Sequence, residues 1–147
     1  MANQFAEEYA QSIANLIRYN AAKASNDEAA IQEVVKAHRE LEAHIEAKGT
    51  AYAHLYSKYE SAQERGNALI DWDEVIQDKD VSSFVANLRE YGIEKFVFSS
   101  TWSSAVETAW LFQQNGCKLE GLVEINGRVK GICSDEREKI HGYLFSL

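Results

Sequence analysis

Hydrophobic side chains recur every three or four positions from Phe5 to Leu88, and from Ile93 onward they gather in short β-branched and aromatic runs. The first spacing is that of helices with one buried face, and the second is that of strands. A chain that separates the two in this order is predicted to be α+β, with helices first and a small mixed sheet after them. The absence of proline fits a chain rich in helix.

Within residues 3–23 the apolar positions Phe5, Tyr9, Ile13, Leu16, Ile17 and Tyr19 predict one apolar helix face. Ser25 and Glu28 have capping-box spacing and predict the start of a second helix. That helix places Ile31, Val34, Val35, His38, Leu41 and Ile45 on one side, with His38 as a packed histidine. The two form a helical hairpin. Gly49 and Thr50 offer a stop and a new cap, although one long helix through the glycine is an alternative. A third helix over 51–65 carries Tyr52, Leu55, Tyr56 and Tyr59, and Gly66-Asn67 ends it. Asp71 to Glu74 repeats the capping-box spacing, so Asp71 is expected to cap a short helical turn. Asp80 is expected to cap a helix over 81–91, stopped by Gly92.

Residues 94–99 read as a strand, 102–115 as a helix with Val106, Ala109, Trp110 and Phe112 inward, and 119–125 as a second strand. A strand–helix–strand run is a crossover unit, so these two strands are expected to be parallel. Asn126-Gly127 predicts a hairpin into a third strand, 129–133, with Glu124 opposite Arg128 and Val123 opposite Val129. That register puts Cys133 opposite Leu119. Residues 140–146 return as a fourth strand. The predicted architecture is a helical appendage, 1–65, and a small β-α-β-β(-β) domain, 66–147, with every strand after Gly92.

Candidate chemistry concentrates where the first strand meets its helix. Ser99, Ser100, Thr101, Ser103 and Ser104 are five hydroxyls in six positions around Trp102. They suit a helix cap, with Ser104 and Glu107 as a capping box, or an anion site on the free N–H groups of the first turn. Trp102 itself suits a protein contact. The acidic stretch Asp71, Trp72, Asp73, Glu74 is a second candidate contact surface, for a basic partner. No lysine or arginine lies within 99–104 to assist an anion.

Other classes are disfavoured. A net charge of −8 opposes direct nucleic-acid binding and attraction to anionic membranes. No apolar run approaches a membrane span, and the polar, acidic start is unlike a signal peptide. Cys117 and Cys133 form no disulfide framework and suit reduced thiols in the cytoplasm. The four histidines lack metal-site spacing, and nucleophile-elbow, Walker and dinucleotide motifs are absent, so no catalytic residue, metal or cofactor is expected.

Gly66-Asn67 and the run FVFSSTWSSAVETAWLFQQNGCKLEGLVEINGR resemble an uncharacterised family of small proteins from gut-associated Firmicutes and their mobile elements. The resemblance covers about 66–147 and is strongest over Phe98–Trp110 and Asn115–Gly127. It carries no catalytic residue, and it implies a role in phage, plasmid or host-defence conflict. The sequence therefore points to a non-enzymatic interaction or inhibitor protein with a protein partner, forming a homodimer through its first three helices. The competing reading is a small-molecule or nucleotide-binding protein, or an enzyme, that uses the Ser99–Ser104 junction.

Overall fold

The computed structural model describes residues 4–129, 132–133 and 135–147, with backbone alone at 128 and 129. The expected third strand, 129–133, lies partly outside the described residues. The fold is α+β, with five helices and a four-stranded mixed sheet among the described residues. None of these helices is long and apolar enough to cross a membrane. The chain divides into two compact units, Met1–Tyr56 and Ser57–Leu147.

In the first unit α1 (Gln4–Ala24) and α2 (Glu28–Ala47) form a hairpin, and α3 (Thr50–Glu64) begins after a break at Gly49. Gly49 has φ +108°, a conformation that ends α2 and excludes the single long helix. Asp27, not Ser25, caps α2, accepting the Ala30 N–H at 3.1 Å. The shift follows from Asn26, which takes φ +52° to close α1 and leaves the Ser25 hydroxyl donating back to the Ala21 carbonyl. Phe5, Val34, Leu41, Ile45, Tyr52, Leu55 and Tyr56 are buried, with the Phe5 ring centroid 4.8 Å from that of Tyr52. Glu8, also buried, accepts the Tyr52 hydroxyl at 2.6 Å and pairs with Lys48.

Two expectations fail here. His38 is exposed and pairs with Glu42 one turn away, so it is not a packed core histidine. The supposed single apolar face of α1 is divided. Phe5 points inward beside Glu8, Asn15 and Ala22, while Ile13, Leu16 and Ile17 are exposed.

In the second unit α3 ends at Gly66, whose φ of +77° permits the paired bonds Gly66 N–H to Gln63 and Asn67 N–H to Ala62. The chain then enters β1 (Asp71–Trp72), passes through α4 (Asp78–Glu90) to β2 (Lys95–Phe98), and through α5 (Ala105–Gln114) to β3 (Lys118–Val129) and β4 (Arg137–Ser146). The sheet order is β1-β2-β4-β3. β1 is parallel to β2, and β4 is antiparallel to both β2 and β3.

Four corrections follow from this topology. A strand precedes Gly92, because Asp71 and Trp72 pair with Val97 and Phe98 and no helical turn starts there. α4 starts three residues early, at Asp78, after an N-cap at Gln77, so Asp80 lies in its first turn. β2 and β3 run in the same direction, as both oppose β4, but β4 lies between them. Finally, Asn126-Gly127 is no turn. β3 runs through it, and Glu124 faces His141, Val123 faces Gly142 and Leu119 faces Phe145. The Asn67 side chain takes over the backbone of Asn126, accepting its N–H and donating to its carbonyl, both at 2.9 Å. A backbone so paired cannot also make a tight turn. Cys117 is buried and Cys133 exposed, and both are free thiols.

The core lies between the sheet and α4 and α5. Phe112 is fully buried, with its ring centroid 5.2 Å from Phe96, 5.2 Å from Phe98, 5.3 Å from Phe145 and 5.8 Å from Phe84. Gly142 is needed where β4 passes β2. A Cβ there would sit 2.5 Å from Val97 Cγ1 and 3.1 Å from the Phe98 carbonyl oxygen. Gly142→Ala is therefore expected to destabilise the protein by about 1–3 kcal/mol through overpacking, as read by urea denaturation. An unchanged midpoint would contradict this close approach.

Candidate functional site

The junction between β2 and α5 is built on a buried acid. Ile70-Asp71-Trp72 puts a carboxylate between two apolar residues in a strand, where it must find donors. Asp71 is 2% exposed. Its Oδ1 accepts the hydroxyl of Ser99, the first residue after β2, and its Oδ2 accepts Arg65 Nη1 at 3.2 Å. The Ser99 N–H continues the sheet pairing onto the Trp72 carbonyl at 2.9 Å. Burial raises the Asp71 pKa above its ordinary 3.8, outweighing the Ser99 hydrogen bond and the Arg65 charge that oppose it. The acid-between-apolar pattern was the available sign of this cluster, and nothing in the sequence named Arg65 as the partner.

Trp72 is buried against Phe84, with ring centroids 4.6 Å apart, and Lys58 Nζ lies 5.5 Å from its centroid. The same ammonium holds Asp73 at 2.6 Å and Glu74 at 3.6 Å. Burial alone would raise the Asp73 pKa, but the Lys58 hydrogen bond and charge prevail and lower it. Asp71 and Trp72 are thus interior residues and belong to no contact surface, while Asp73 and Glu74 remain half in solvent.

After Ser99 the hydroxyls turn outward. Ser100 is half-buried, and Thr101, Ser103 and Ser104 are exposed. Ser104 occupies the N-cap position of α5 but its side chain makes no capping bond, so the Ser104–Glu107 box is not formed. Its backbone, at φ −79° and ψ 1°, is outside the extended region from which a cap hydroxyl reaches the N2 or N3 amide. The turn is held by Ser100 instead, whose Oγ accepts the Trp102 N–H at 3.4 Å, and by the Ala105 N–H on the Trp102 carbonyl at 2.9 Å.

Thr108 fixes the rotation of α5. Buried at 2% exposure, it accepts the Ile76 N–H at 3.3 Å and donates to the Ile76 carbonyl at 3.4 Å. With Thr108, Leu111 and Phe112 inward, Val106 and Trp110 must face out, opposite to the sequence expectation. Trp102, Val106 and Trp110 are 70%, 79% and 56% exposed, at steps of four residues. Further large apolar side chains are exposed on the sheet: Leu119, Leu122 and Tyr143. Their pairing with Phe145 and with one another puts them on the sheet face that α5 covers in part. Among the described residues no three His, Cys, Asp or Glu side chains are grouped to hold a metal ion. Burial pushes the Cys117 thiol up.

A family model for a domain of unknown function, DUF7698, matches residues 54–147. The chain belongs to that family. The DUF7698 match starts within α3 and takes in the whole sheet, the Asp71 cluster and the exposed face of α5, and leaves α1 and α2 outside. No curated protein and no solved structure matches the chain.

The two ends of the hydroxyl run should differ in the DUF7698 segment. Ser99→Ala leaves a buried carboxylate oxygen without its donor and should cost about 1–3 kcal/mol. Ser104→Ala should stay within about 0.5 kcal/mol of wild type, since the residue is exposed and caps nothing. Urea denaturation of both variants decides the point, and the reverse order would restore the cap.

Asp71 and Asp73 should respond to pH with opposite signs. A raised folded pKa gives stability that is fully present below the unfolded value and is lost as pH rises through the folded value. The stability of wild type relative to Asp71→Asn should therefore fall as pH rises above 3.8. Asp73 is depressed, so wild type relative to Asp73→Asn should keep its advantage above 3.8 and lose it as pH falls below that value. Denaturant midpoints taken from acid to neutral pH provide the measurement.

Proposed function

We propose that this chain is a non-enzymatic protein-binding module whose contact surface is the outer face of α5 and the turn before it, centred on Trp102, Val106 and Trp110. The observation that carries the reading is the exposure of these three large apolar side chains, Val106 and Trp110 one turn apart on α5 and Trp102 in the turn that leads into it. Single exposed apolar residues are ordinary on soluble proteins, but a row with two tryptophans is characteristic of an interface. Neither indole is engaged by the core, which already has Trp72 and the phenylalanine cluster. Leu119, Leu122 and Tyr143 extend the apolar surface on the sheet.

The net charge of −8 favours a basic partner and fast, electrostatically guided association. The narrower form of the proposal is an inhibitor carried by a mobile element and directed at a basic host enzyme, such as a defence nuclease. The exposed thiol of Cys133 suits a cytoplasmic setting. Direct nucleic-acid binding is not part of the reading, given 23 acids against 15 lysines and arginines. An anion or nucleotide site at the start of α5 finds less support. Ser99 is committed to Asp71, and no basic residue lies within 99–104.

The test is capture of a partner from cells of the source organism, followed by titration of the purified pair. Trp102→Ala combined with Trp110→Ala should leave stability within about 0.5 kcal/mol of wild type. It should weaken the complex by about 2 kcal/mol or more, as for interface anchors. Undiminished affinity of the double variant would overturn the assignment of the surface. A phosphate- or nucleotide-dependent rise in melting temperature that Ser100→Ala abolishes would replace it with the competing reading.

A further inference from the structure

α1 is mixed in polarity on both sides. Its inward side buries Glu8 and Asn15, and among the described residues Glu8 Oε2 and Asn15 Nδ2 have no hydrogen-bond partner. Its outward side exposes Ile13 at 37%, Leu16 at 53% and Ile17 at 64%. A row of large apolar side chains left exposed on a helix marks a surface that another element can cover.

The exposed residues are not scattered. Ala6, Ile13, Leu16, Asn20 and Lys23, with half-buried Tyr9 between the first two, follow one another at steps of three and four, the spacing of a coiled-coil seam. They run for about 26 Å along the helix at 1.5 Å per residue. Lys23, at the last step, is the only charged residue in the row, and Ile17 widens the seam at its centre. A seam with this period is fitted by another helix, and one with no charge in its middle brings no like charges together at its centre when it meets its own copy.

We propose that α1 pairs with α1 of a second copy of this chain, antiparallel, about a two-fold axis between Ile13 and Leu16. In that arrangement each Ile13 packs on the other copy's Leu16, each Tyr9 lies level with an Asn20, and each Lys23 lies over an Ala6. The lysine there can extend past the small side chain to water. Parallel pairing in register would instead set Lys23 against Lys23. The antiparallel arrangement rests on no residue of α5, so it stands or falls apart from the proposed function.

Sedimentation of the full chain from about 1 to about 200 µM should show a monomer–dimer equilibrium. Leu16→Glu and Ile17→Glu should each weaken it about tenfold or more, because the dimer would bury the new charge. Both positions are exposed in the single chain, so far-UV circular dichroism of the dilute variants should match wild type. Orientation is read by oxidation in a Cys133→Ser background. A mixture of Ile13→Cys and Leu16→Cys chains should cross-link with one another, and Leu16→Cys alone should not. A chain that stays monomeric throughout the range overturns the proposal, as does a dimer indifferent to Leu16→Glu. Self-cross-linking of Leu16→Cys overturns the antiparallel arrangement. Coverage of the stripe by a different protein, with the free chain monomeric, also contradicts it.

Discussion

Burial of the Phe112 ring is the interaction on which the second unit depends. Phe112 touches Phe84 of α4, Phe96 and Phe98 around β2 and Phe145 of β4, so one side chain joins two helices to two strands. Full burial of such a ring is worth about 1.5–3 kcal/mol in transfer alone, and edge-to-face contacts add to it. It also acts as a key for the rotation of α5. Once Phe112 and Leu111 point into the core, and Thr108 is bonded to both backbone groups of Ile76, the remaining positions have no freedom. Val106 and Trp110 are then turned to solvent by the 3.6-residue repeat.

The Asp71 cluster contributes in a different way. A carboxylate with Ser99 on one oxygen and Arg65 on the other ties the end of α3 and strand β1 to the residue from which the junction departs. Buried ionised groups are seldom a net source of stability, because desolvation offsets the attraction, but removal of one partner is costly. Ser99 is therefore a structural hydroxyl, and it determines where the chain leaves the sheet and where Trp102 emerges. The Asn67–Asn126 pair plays a comparable part at the edge strand. It satisfies both backbone groups of a residue that sequence rules would place in a turn.

Much of this was legible in the sequence, and what was not has identifiable causes. The helices at 4–24, 28–47 and 50–64 follow from three-to-four spacing, and their ends follow from Asn26, Gly49 and Gly66. The α+β order follows from the change of period at Ile93. β1 was not legible because two residues, one of them an acid, give no alternation to read, and their strand exists only through pairing with β2. The Asn126-Gly127 signal was overridden by a partner 59 residues away in the chain. The fate of the three tryptophans could not be read from spacing. Trp72 is buried by pairing with β2 and by Phe84, and Trp110 is turned out because Thr108, Leu111 and Phe112 point in, and these are tertiary choices. In α1 two seams at helical spacing overlap, so a list of apolar letters merged an inward row with an outward one.

The central claim is that the fold buries Trp72 and holds Trp102 and Trp110 in solvent as a ready contact surface. With three tryptophans in the chain, three variants that each keep one of them, the other two changed to phenylalanine, test it directly by fluorescence emission and acrylamide quenching. The protein that keeps Trp72 should emit at short wavelength and resist quenching. Those that keep Trp102 or Trp110 should emit near the fully hydrated limit and be quenched readily. A shielded Trp102 or Trp110 in the protein without a partner would contradict the account, because the proposed surface would then already be occupied.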